Sequence, residues 1–261
     1  YGLSMIVWRD ALYFIHGGGS PWKFVLSRLN SDDSIEVVLD RSDIAWLQSL
    51  VIYGDRLYII GSDGGYDFGS ESKAYYTTDG TNWTNDTNLD TTILGIFAGV
   101  EFNGYLLLGT WPSRTHWLDD GYGFIYRYDG VNPPVLVYTS NKNRISNMIA
   151  YDSKVYALGS GGFNYYDGYS VDNKNSELYE SSDGTNWSLI HTFIDDRDIC
   201  GVGLFPITNK LFFGGGSLSP KVGTIYSSEP LAVAYTILSG LQAVVVGETI
   251  AAGSPVYISG G

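Results

Sequence analysis

Apolar residues along this chain come in pairs of short runs, each pair joined by a tight polar turn and closed by a glycine. The pattern occurs five times, at Ile6–Gly17, Leu50–Gly61, Gly99–Gly109, Met148–Gly159 and Gly201–Gly214. Turn pairs such as Asn103-Gly104 suit two-residue hairpins, because asparagine and glycine tolerate the positive φ that these turns need. No helical period longer than two turns competes with this pattern. The sequence therefore predicts an all-β protein built from hairpins.

The hairpins recur at intervals of roughly 40–50 residues, which is the length of one four-stranded propeller blade. A second hairpin follows in each repeat, and in two repeats its turn has nearly the same sequence. These copies are TTDGTNW at Thr77–Trp83 and SSDGTNW at Ser181–Trp187. We therefore predict a five-bladed β-propeller with four-stranded antiparallel blades, followed by a short C-terminal β segment.

The predicted propeller covers residues 1–240, with blades at roughly 1–40, 41–92, 93–139, 140–196 and 197–239. Strands at Thr224–Ser228 and Ala232–Leu238 form the outer pair of the last blade. Residues 241–261 lack tyrosine-rich hairpins and are predicted to begin a separate small β module. The alternative is that this tail supplies a closing strand to the propeller. The count of five hairpins also leaves open a sixth blade, formed by a missing segment.

The acidic composition narrows the choice of partners. The chain has 28 Asp and Glu against 15 Lys and Arg, a formal net charge of −13. No basic surface is available to displace counterions, so no nucleic acid partner is expected. The same negative charge disfavours binding to an anionic membrane surface. Membrane insertion is not expected, because no run reaches the roughly 18 apolar residues that a span needs. The single cysteine, Cys200, excludes a disulfide within the chain.

The repeated turn resembles the Asp-box of sialidase-like and kelch-like propellers, except that glycine directly follows Asp79 and Asp183. In that family the turn is structural. The resemblance implies that the aspartate accepts backbone N–H groups, that glycine takes positive φ, and that Trp83 and Trp187 pack between blades. It implies no catalytic role for these residues.

The tail carries a second resemblance. Gly247–Ser259 (GETIAAGSPVYIS) is similar to a β motif of phage and viral tail-fibre and capsid-associated proteins, with Ser254-Pro255 in place of the usual Asp-x pair. The resemblance implies a virion-surface protein and covers only this short segment of the chain.

Propeller geometry places the turns within hairpins on one face and the loops between hairpins and between blades on the other. We call the second the long-loop face, because its loops at Ser62–Ser72, Thr110–Gly123 and Ser160–Ser176 are long, aromatic and acidic. The aromatic rings could stack on sugars and the carboxylates could bond sugar hydroxyls; alternatively, the rings pack the loops and the acids are solvated. The candidate ligand-binding residues are Tyr66, Asp67, Phe68, Trp111, Trp117, Asp119, Asp120, Tyr122, Phe163, Tyr165, Tyr166, Asp167 and Tyr169.

Calcium is the one cofactor that these loops could hold, through their Asp-Gly clusters. No run has the spacing of an EF-hand. We predict no other cofactor and no other metal.

An enzyme would need paired carboxylates near the propeller axis. Aligning Ile44, Ile93, Ile145 and Ile199 as the first apolar residues of the inner strands makes Asp43 and Asp198 the best pair. Arg41, Arg144 and Arg197 lie at comparable places and resemble the arginine cluster of sialidases. The tyrosine–glutamate pair of that family has no counterpart, since Glu36, Glu101, Glu177 and Glu180 lie in the wrong blade positions. The sequence therefore assigns no catalytic residue.

Together, these observations predict an extracellular or virion-surface recognition domain, such as part of a tail fibre or spike. It would bind a host glycan or protein through the long-loop face, beside other subunits of the appendage, and a homo-oligomer is compatible with this role. The first alternative is a secreted sialidase-like or other propeller glycoside hydrolase. The second is a purely structural propeller in a larger assembly.

Overall fold

A computed structural model describes residues 2–17, 24–40, 46–62, 72–90, 95–110, 122–142, 144–160, 175–193, 199–205, 210–218, 221–227 and 256–257. Within these residues the chain is almost entirely β-structure.

Four antiparallel sheets of four strands each form successive blades, and the strands of each blade follow one another in chain order. Blade 1 contains β1 (Gly2–Trp8), β2 (Ala11–Gly17), β3 (Phe24–Leu29) and β4 (Ile35–Leu39). Blade 2 contains β5 (Trp46–Tyr53), β6 (Arg56–Ser62), β7 (Ser72–Thr77) and β8 (Thr84–Asn85), followed by the short helix α1 (Thr87–Asp90). Blade 3 contains β9 (Ile96–Phe102), β10 (Tyr105–Thr110), β11 (Phe124–Tyr128) and β12 (Val135–Thr139). Blade 4 contains β13 (Arg144–Tyr151), β14 (Lys154–Ser160), β15 (Ser176–Ser181) and β16 (Ser188–Phe193).

The first strand of each blade contacts the first strand of the next, β1 with β5, β5 with β9 and β9 with β13. Blades that touch through their innermost strands are arranged around a common axis. The prediction of an all-β propeller is therefore confirmed.

A fifth sheet follows, with β17 (Ile199–Phe205), β18 (Lys210–Leu218), β19 (Lys221–Ser227) and β20 (Val256–Tyr257). Its fourth strand comes from the tail, where Val256 pairs with Ile225 and Tyr257 with Thr224. The outer strand predicted at Ala232–Leu238 lies outside the described residues. The count of five blades and the domain boundary at residue 240 stay predictions.

The predicted two-residue turns are confirmed at the innermost hairpins. Gly54 has φ of 60°, Asn103 and Gly104 have 51° and 76°, and Asp152 and Ser153 have 50° and 58°. These turns connect the first two strands of blades 2, 3 and 4.

The hydrophobic core lies in the seams between blades. In β6, the adjacent residues Ile59 and Ile60 are both fully buried. Ile59 belongs to the cluster shared with blade 1, and Ile60 to the cluster shared with blade 3. A strand buried on both faces must be apolar at consecutive positions, which explains the unbroken apolar runs in the sequence. Each such side chain contributes about 1.5–3 kcal/mol by leaving water.

Candidate functional site at the rim of the long-loop face

Each innermost hairpin contains a β-bulge close to its long-loop end. In blade 4, Ile145 pairs with Gly159 and Asn147 with Leu158, so Ser146 is the extra residue. Corresponding shifts make Leu3, Gln48, Phe97 and Cys200 the extra residues of the other hairpins. Bulges of this kind bend a strand at the rim of a sheet structure and redirect neighbouring side chains.

The bulges define which rim positions are equivalent. Leu47 and Ile96 stand in the places of Ile145 and Ile199, so the residues one step earlier are Trp46, Gly95, Arg144 and Asp198. Aligning the repeats through Ile44 and Ile93 placed the rim residue three positions too early in blades 2 and 3, because apolar residues also precede the strands there. Asp43 is therefore not the counterpart of Asp198. Asp43, Asp198, Arg41 and Arg197 themselves lie outside the described residues.

Arg144 lies at this rim, at the seam between blades 3 and 4. Its Nε donates a hydrogen bond of 2.6 Å to Ser160 Oγ at the end of β14. Its guanidinium lies 5.8 Å from the ring centroid of Phe97, the bulge residue of blade 3. The arginine side chain is thus oriented by contacts with both blades.

Gly123, the residue after Tyr122, packs against the backbone of Arg144. Gly123 N donates to Lys142 O at 2.5 Å, and Ser140 N donates to Gly123 O at 2.9 Å. A Cβ on Gly123 would lie 2.6 Å from the carbonyl carbon of Arg144, so only glycine permits this approach. Tyr122 itself is 45% exposed. The segment that carries this predicted ligand-binding tyrosine therefore runs against the start of β13, where Arg144, the one described arginine of the predicted cluster, lies.

The other candidate ligand-binding residues lie outside the described residues, so their role stays a prediction. They are Tyr66, Asp67, Phe68, Trp111, Trp117, Asp119, Asp120, Phe163, Tyr165, Tyr166, Asp167 and Tyr169.

A buried charged cluster lies in blade 4, two residues along the chain from Arg144. Lys142 Nζ lies 3.0 Å from Glu177 Oε1, and both side chains are more than nine-tenths buried. The Tyr179 hydroxyl donates to Glu177 Oε2 at 2.5 Å. Burial and the bond to this carboxylate raise the pKa of Tyr179 above its ordinary value, so it remains a neutral donor. The cluster anchors the connection between blades 3 and 4 to β15.

The sequence interpretation missed this cluster. Lys142 stands in a polar segment that resembles a solvated loop. Glu177 and Tyr179, two residues apart on one strand, share a face, which was the one available signal.

The strand acids named by the sequence analysis have structural partners. Glu36 pairs with Arg28 at 2.7 Å, Glu180 pairs with Lys154 at 3.0 Å, and Glu101 Oε2 accepts the N–H of Gly54 at 3.0 Å. These contacts support the view that the acids stabilise the blades.

The repeated turns lie on the opposite face and confirm the structural role expected of them. Asp79 Oδ1 accepts the N–H groups of Thr81 and Asn82 at 2.8 and 2.7 Å. Gly80 has φ of 81°. Trp83 packs against the cluster between blades 1 and 2. The second copy repeats these bonds from Asp183, and Trp187 packs against the cluster between blades 3 and 4.

A third copy was not recognised in the sequence. Asp129 Oδ1 accepts the N–H groups of Val131 and Asn132 at 2.9 and 2.7 Å, in the turn between β11 and β12. Arg127 and Pro133 stand at the positions of the Ser/Thr and the Trp that mark the other two copies. The shared signal is the shorter pattern Asp-Gly-x-Asn.

Among the described residues, no group of three or more His, Cys, Asp or Glu side chains lies close enough to hold a metal ion. The calcium prediction concerns loops outside that part of the chain and stays a prediction. In the same described part, no helix has the length and apolar character needed to cross a membrane.

The sequence matches no protein-family model and no curated protein. The fold is similar to solved glycoside hydrolases. An exo-β-1,3-galactanase from Phanerochaete chrysosporium in complex with β-1,3-galactotriose has a TM-score of 0.54 at 9% identity, covering 98% of this chain and 66% of that one. A putative exo-β-1,3-galactanase from Bifidobacterium bifidum has a TM-score of 0.53 at 12% identity, covering 95% and 89%. An α-L-arabinofuranosidase from Clostridium thermocellum has a TM-score of 0.50 at 8% identity, covering 97% and 94%.

This chain spans about half, 53%, of the length of a Bombyx mori β-fructofuranosidase to which it is also similar. At identities this low, the likeness to these structures establishes the β-propeller fold.

The prediction of a virion-surface recognition domain was wrong: the similar structures named here are glycoside hydrolases. Aromatic and acidic loops suit the binding of sugars whether or not hydrolysis follows. They could not separate a receptor-binding domain from an enzyme. The viral resemblance came chiefly from Gly247–Ser259, a small part of the chain.

Proposed function

We propose that this protein is a glycoside hydrolase whose active site lies on the propeller axis at the long-loop face. The observation that carries the proposal is the similarity to two exo-β-1,3-galactanases and an α-L-arabinofuranosidase along 95–98% of this chain. Sequence identity is too low to transfer a substrate, so glycans with terminal galactosyl or arabinofuranosyl residues are the first to test.

The rim offers groups that suit a sugar. Arg144 can donate hydrogen bonds to hydroxyls, and its position is maintained by Ser160 and Phe97. Tyr122, which is partly exposed and precedes the glycine that packs on the Arg144 backbone, offers an aromatic face and a hydroxyl group. The long loops that continue from this rim add further aromatic residues and carboxylates in the sequence.

Hydrolysis needs two carboxyl groups on either side of the glycosidic bond. One protonates the leaving oxygen, and the other activates water or attacks the anomeric carbon, with the two groups about 5–10 Å apart. Asp198 is our first candidate, because in the sequence it directly precedes Ile199, the residue equivalent to Ile145, as Arg144 precedes Ile145. Asp43, three residues before the equivalent position in blade 2, is the second.

The test is hydrolysis of β-1,3-galactotriose, p-nitrophenyl α-L-arabinofuranoside and sucrose by the purified chain. We expect monosaccharide release from at least one of them. Asp198→Asn should lower kcat by roughly 10²–10⁴-fold without changing Tm, because it removes a proton-transfer group. No release from any substrate by folded protein would overturn the proposal.

The matched control is Asp33→Asn. Asp33 is an exposed carboxylate in the turn between β3 and β4, on the opposite face, and its φ of 62° is one that asparagine tolerates. Full activity is expected. If Asp198→Asn were equally active, the catalytic carboxylate would have to be another residue.

A further inference from the structure

The buried ion pair of blade 4 lies beside the rim position of Arg144. Lys142 Nζ is 3.0 Å from Glu177 Oε1, and both side chains are more than nine-tenths buried. Across the sheet, Glu177 pairs with Gly159, and Gly159 pairs in turn with Ile145, the residue after Arg144. The carboxylate that binds the lysine therefore belongs to the same row of the sheet as the start of β13.

The side chain of Lys142 reaches this carboxylate by crossing β14 at a glycine. A Cβ on Gly159 would lie 3.2 Å from Lys142 Cβ and 2.9 Å from Lys142 Cγ, and 2.8 Å from Tyr179 Cε2. Any side chain at position 159 would therefore displace the lysine stem or the tyrosine ring. The close approach of Lys142 to the innermost hairpin depends on this glycine.

The backbone of Lys142 holds one end of the long loop at Thr110–Gly123, which we call the blade 3 loop. Lys142 O accepts the N–H of Gly123 at 2.5 Å. Ser140 Oγ accepts the N–H of Lys142 at 3.2 Å and donates to its carbonyl oxygen at 3.1 Å. At the other end of the loop, Thr110 Oγ1 accepts the N–H of Phe124 at 3.2 Å. The two ends of the blade 3 loop are thus tied to each other and to Lys142.

The same contacts fix the start of β13. Gly123 packs on the backbone of Arg144, and Arg144 Nε donates to Ser160 Oγ at 2.6 Å. Ser160 is fully buried and follows Gly159, the residue that the lysine stem covers. Arg144 and the end of the blade 3 loop therefore share one support, in which Lys142 is the link to β15.

We propose that Lys142 and Glu177 are positioning residues of the rim site, which hold Arg144 and the blade 3 loop in the geometry that binds a sugar. Stability alone does not require an ion pair here, because packed apolar residues stabilise a buried site as well or better. An ion pair adds direction, since the ammonium group must meet the carboxylate to be satisfied. The inference rests on the proposed hydrolase function, and both residues act through their neighbours because both are buried.

The first test is a double-mutant cycle in steady-state hydrolysis, at a temperature well below the Tm of every variant. Glu177→Gln should lower kcat/KM by about 10²-fold, because small displacements of positioning groups are costly. Combined with Arg144→Ala, the loss should be smaller than the product of the two single losses, because both changes act on the same group. If the losses simply multiply, the inference is overturned. The control Glu180→Gln, from the exposed ion pair of blade 4, should leave kcat/KM unchanged.

A second variant separates positioning from stability. Glu177→Gln combined with Lys142→Met removes the unpaired buried charge and should regain most of the lost Tm. We expect kcat/KM to stay low, because methionine cannot bond to the side chain at position 177. Recovery of both Tm and kcat/KM would overturn the inference, since the ion pair would then act through stability alone.

Hydrogen exchange at the Gly123 amide tests the same inference without any activity. In the stability-matched Lys142→Met, Glu177→Gln variant this amide should exchange faster than in the unaltered protein, while the Glu180→Gln control should show no change. Unchanged exchange at Gly123 would overturn the inference. If the unaltered protein hydrolyses none of the sugars, the proposed function fails, and the exchange rate alone then decides whether the ion pair positions the rim.

Discussion

Asp79, Asp129 and Asp183 each organise a hairpin turn by accepting two backbone N–H groups and the side-chain amide of the asparagine three residues on. For Asp129, the amide of Asn132 is the strongest influence, followed by the backbone N–H groups, and together they lower its pKa from 3.8 to about 2. The same bonds hold the pKa of Asp79 and Asp183 well below their ordinary range. A carboxylate held ionised in this way acts as a structural acceptor and is unsuited to proton transfer near neutral pH.

The turn of Asp129 should therefore contribute stability only while its carboxylate is ionised. The folded-state pKa is below the unfolded value, so the contribution is complete above about pH 4 and is lost as the pH falls towards 2. We expect Asp129→Asn to lower Tm at pH 6 and to lower it much less at pH 2.5, measured by thermal scans followed by circular dichroism. Asp33→Asn should show a small difference at both values. A Tm difference for Asp129→Asn that is the same at both pH values would contradict this account.

At the scale of elements, blade 4 contains two ion pairs of equal length in different surroundings. Lys142 and Glu177 are 3.0 Å apart and almost fully buried. Lys154 and Glu180 are also 3.0 Å apart, but their side chains are 44% and 27% exposed. Water screens the second pair, while the first lies in a low-dielectric interior where an unpaired charge is costly.

Removing one partner of the buried pair should therefore matter far more. We expect Glu177→Gln to lower the free energy of unfolding by about 3–5 kcal/mol, because Lys142 is left as an unpaired buried charge. The matched control Glu180→Gln should cost less than about 1 kcal/mol. Urea denaturation measures both, and Lys142→Met should recover most of the loss in Glu177→Gln. If Glu177→Gln and Glu180→Gln lower the free energy of unfolding equally, burial of the ion pair does not decide the cost of breaking it.

At the scale of the whole molecule, adjacent blades are joined by buried polar contacts as well as by apolar clusters. Asp86, at the start of α1, accepts hydrogen bonds from Tyr58 of blade 2 at 3.1 Å and from Tyr128 of blade 3 at 2.9 Å. Burial raises the pKa of both tyrosines, so they stay protonated donors through the neutral range. One carboxylate thereby ties blade 2 to blade 3.

Loss of one donor should weaken this seam. Tyr128→Phe leaves the buried Asp86 with fewer partners, and we expect it to lower the free energy of unfolding by about 1–3 kcal/mol. Hydrogen exchange should rise in strands β6 and β11, which border the seam. Tyr126→Phe, which removes a hydroxyl from the same strand that is not one of the two donors to Asp86, is the control and should change exchange little. If protection from hydrogen exchange is unchanged in Tyr128→Phe, the Tyr128 hydroxyl has no role in joining the blades.

The sequence by itself determined the hairpins, their two-residue turns and the repeat length, because those features depend on neighbouring residues. It also determined the bonds of the Asp79 and Asp183 turns, which span only a few positions. Tertiary structure alone decided the bulges, and with them which residue stands at the rim, because register depends on packing between strands. It likewise decided the partners of Glu177 and Asp86. Tyr128 and Asp86 are 42 residues apart, and no local pattern relates side chains that only the folding of two blades brings into contact.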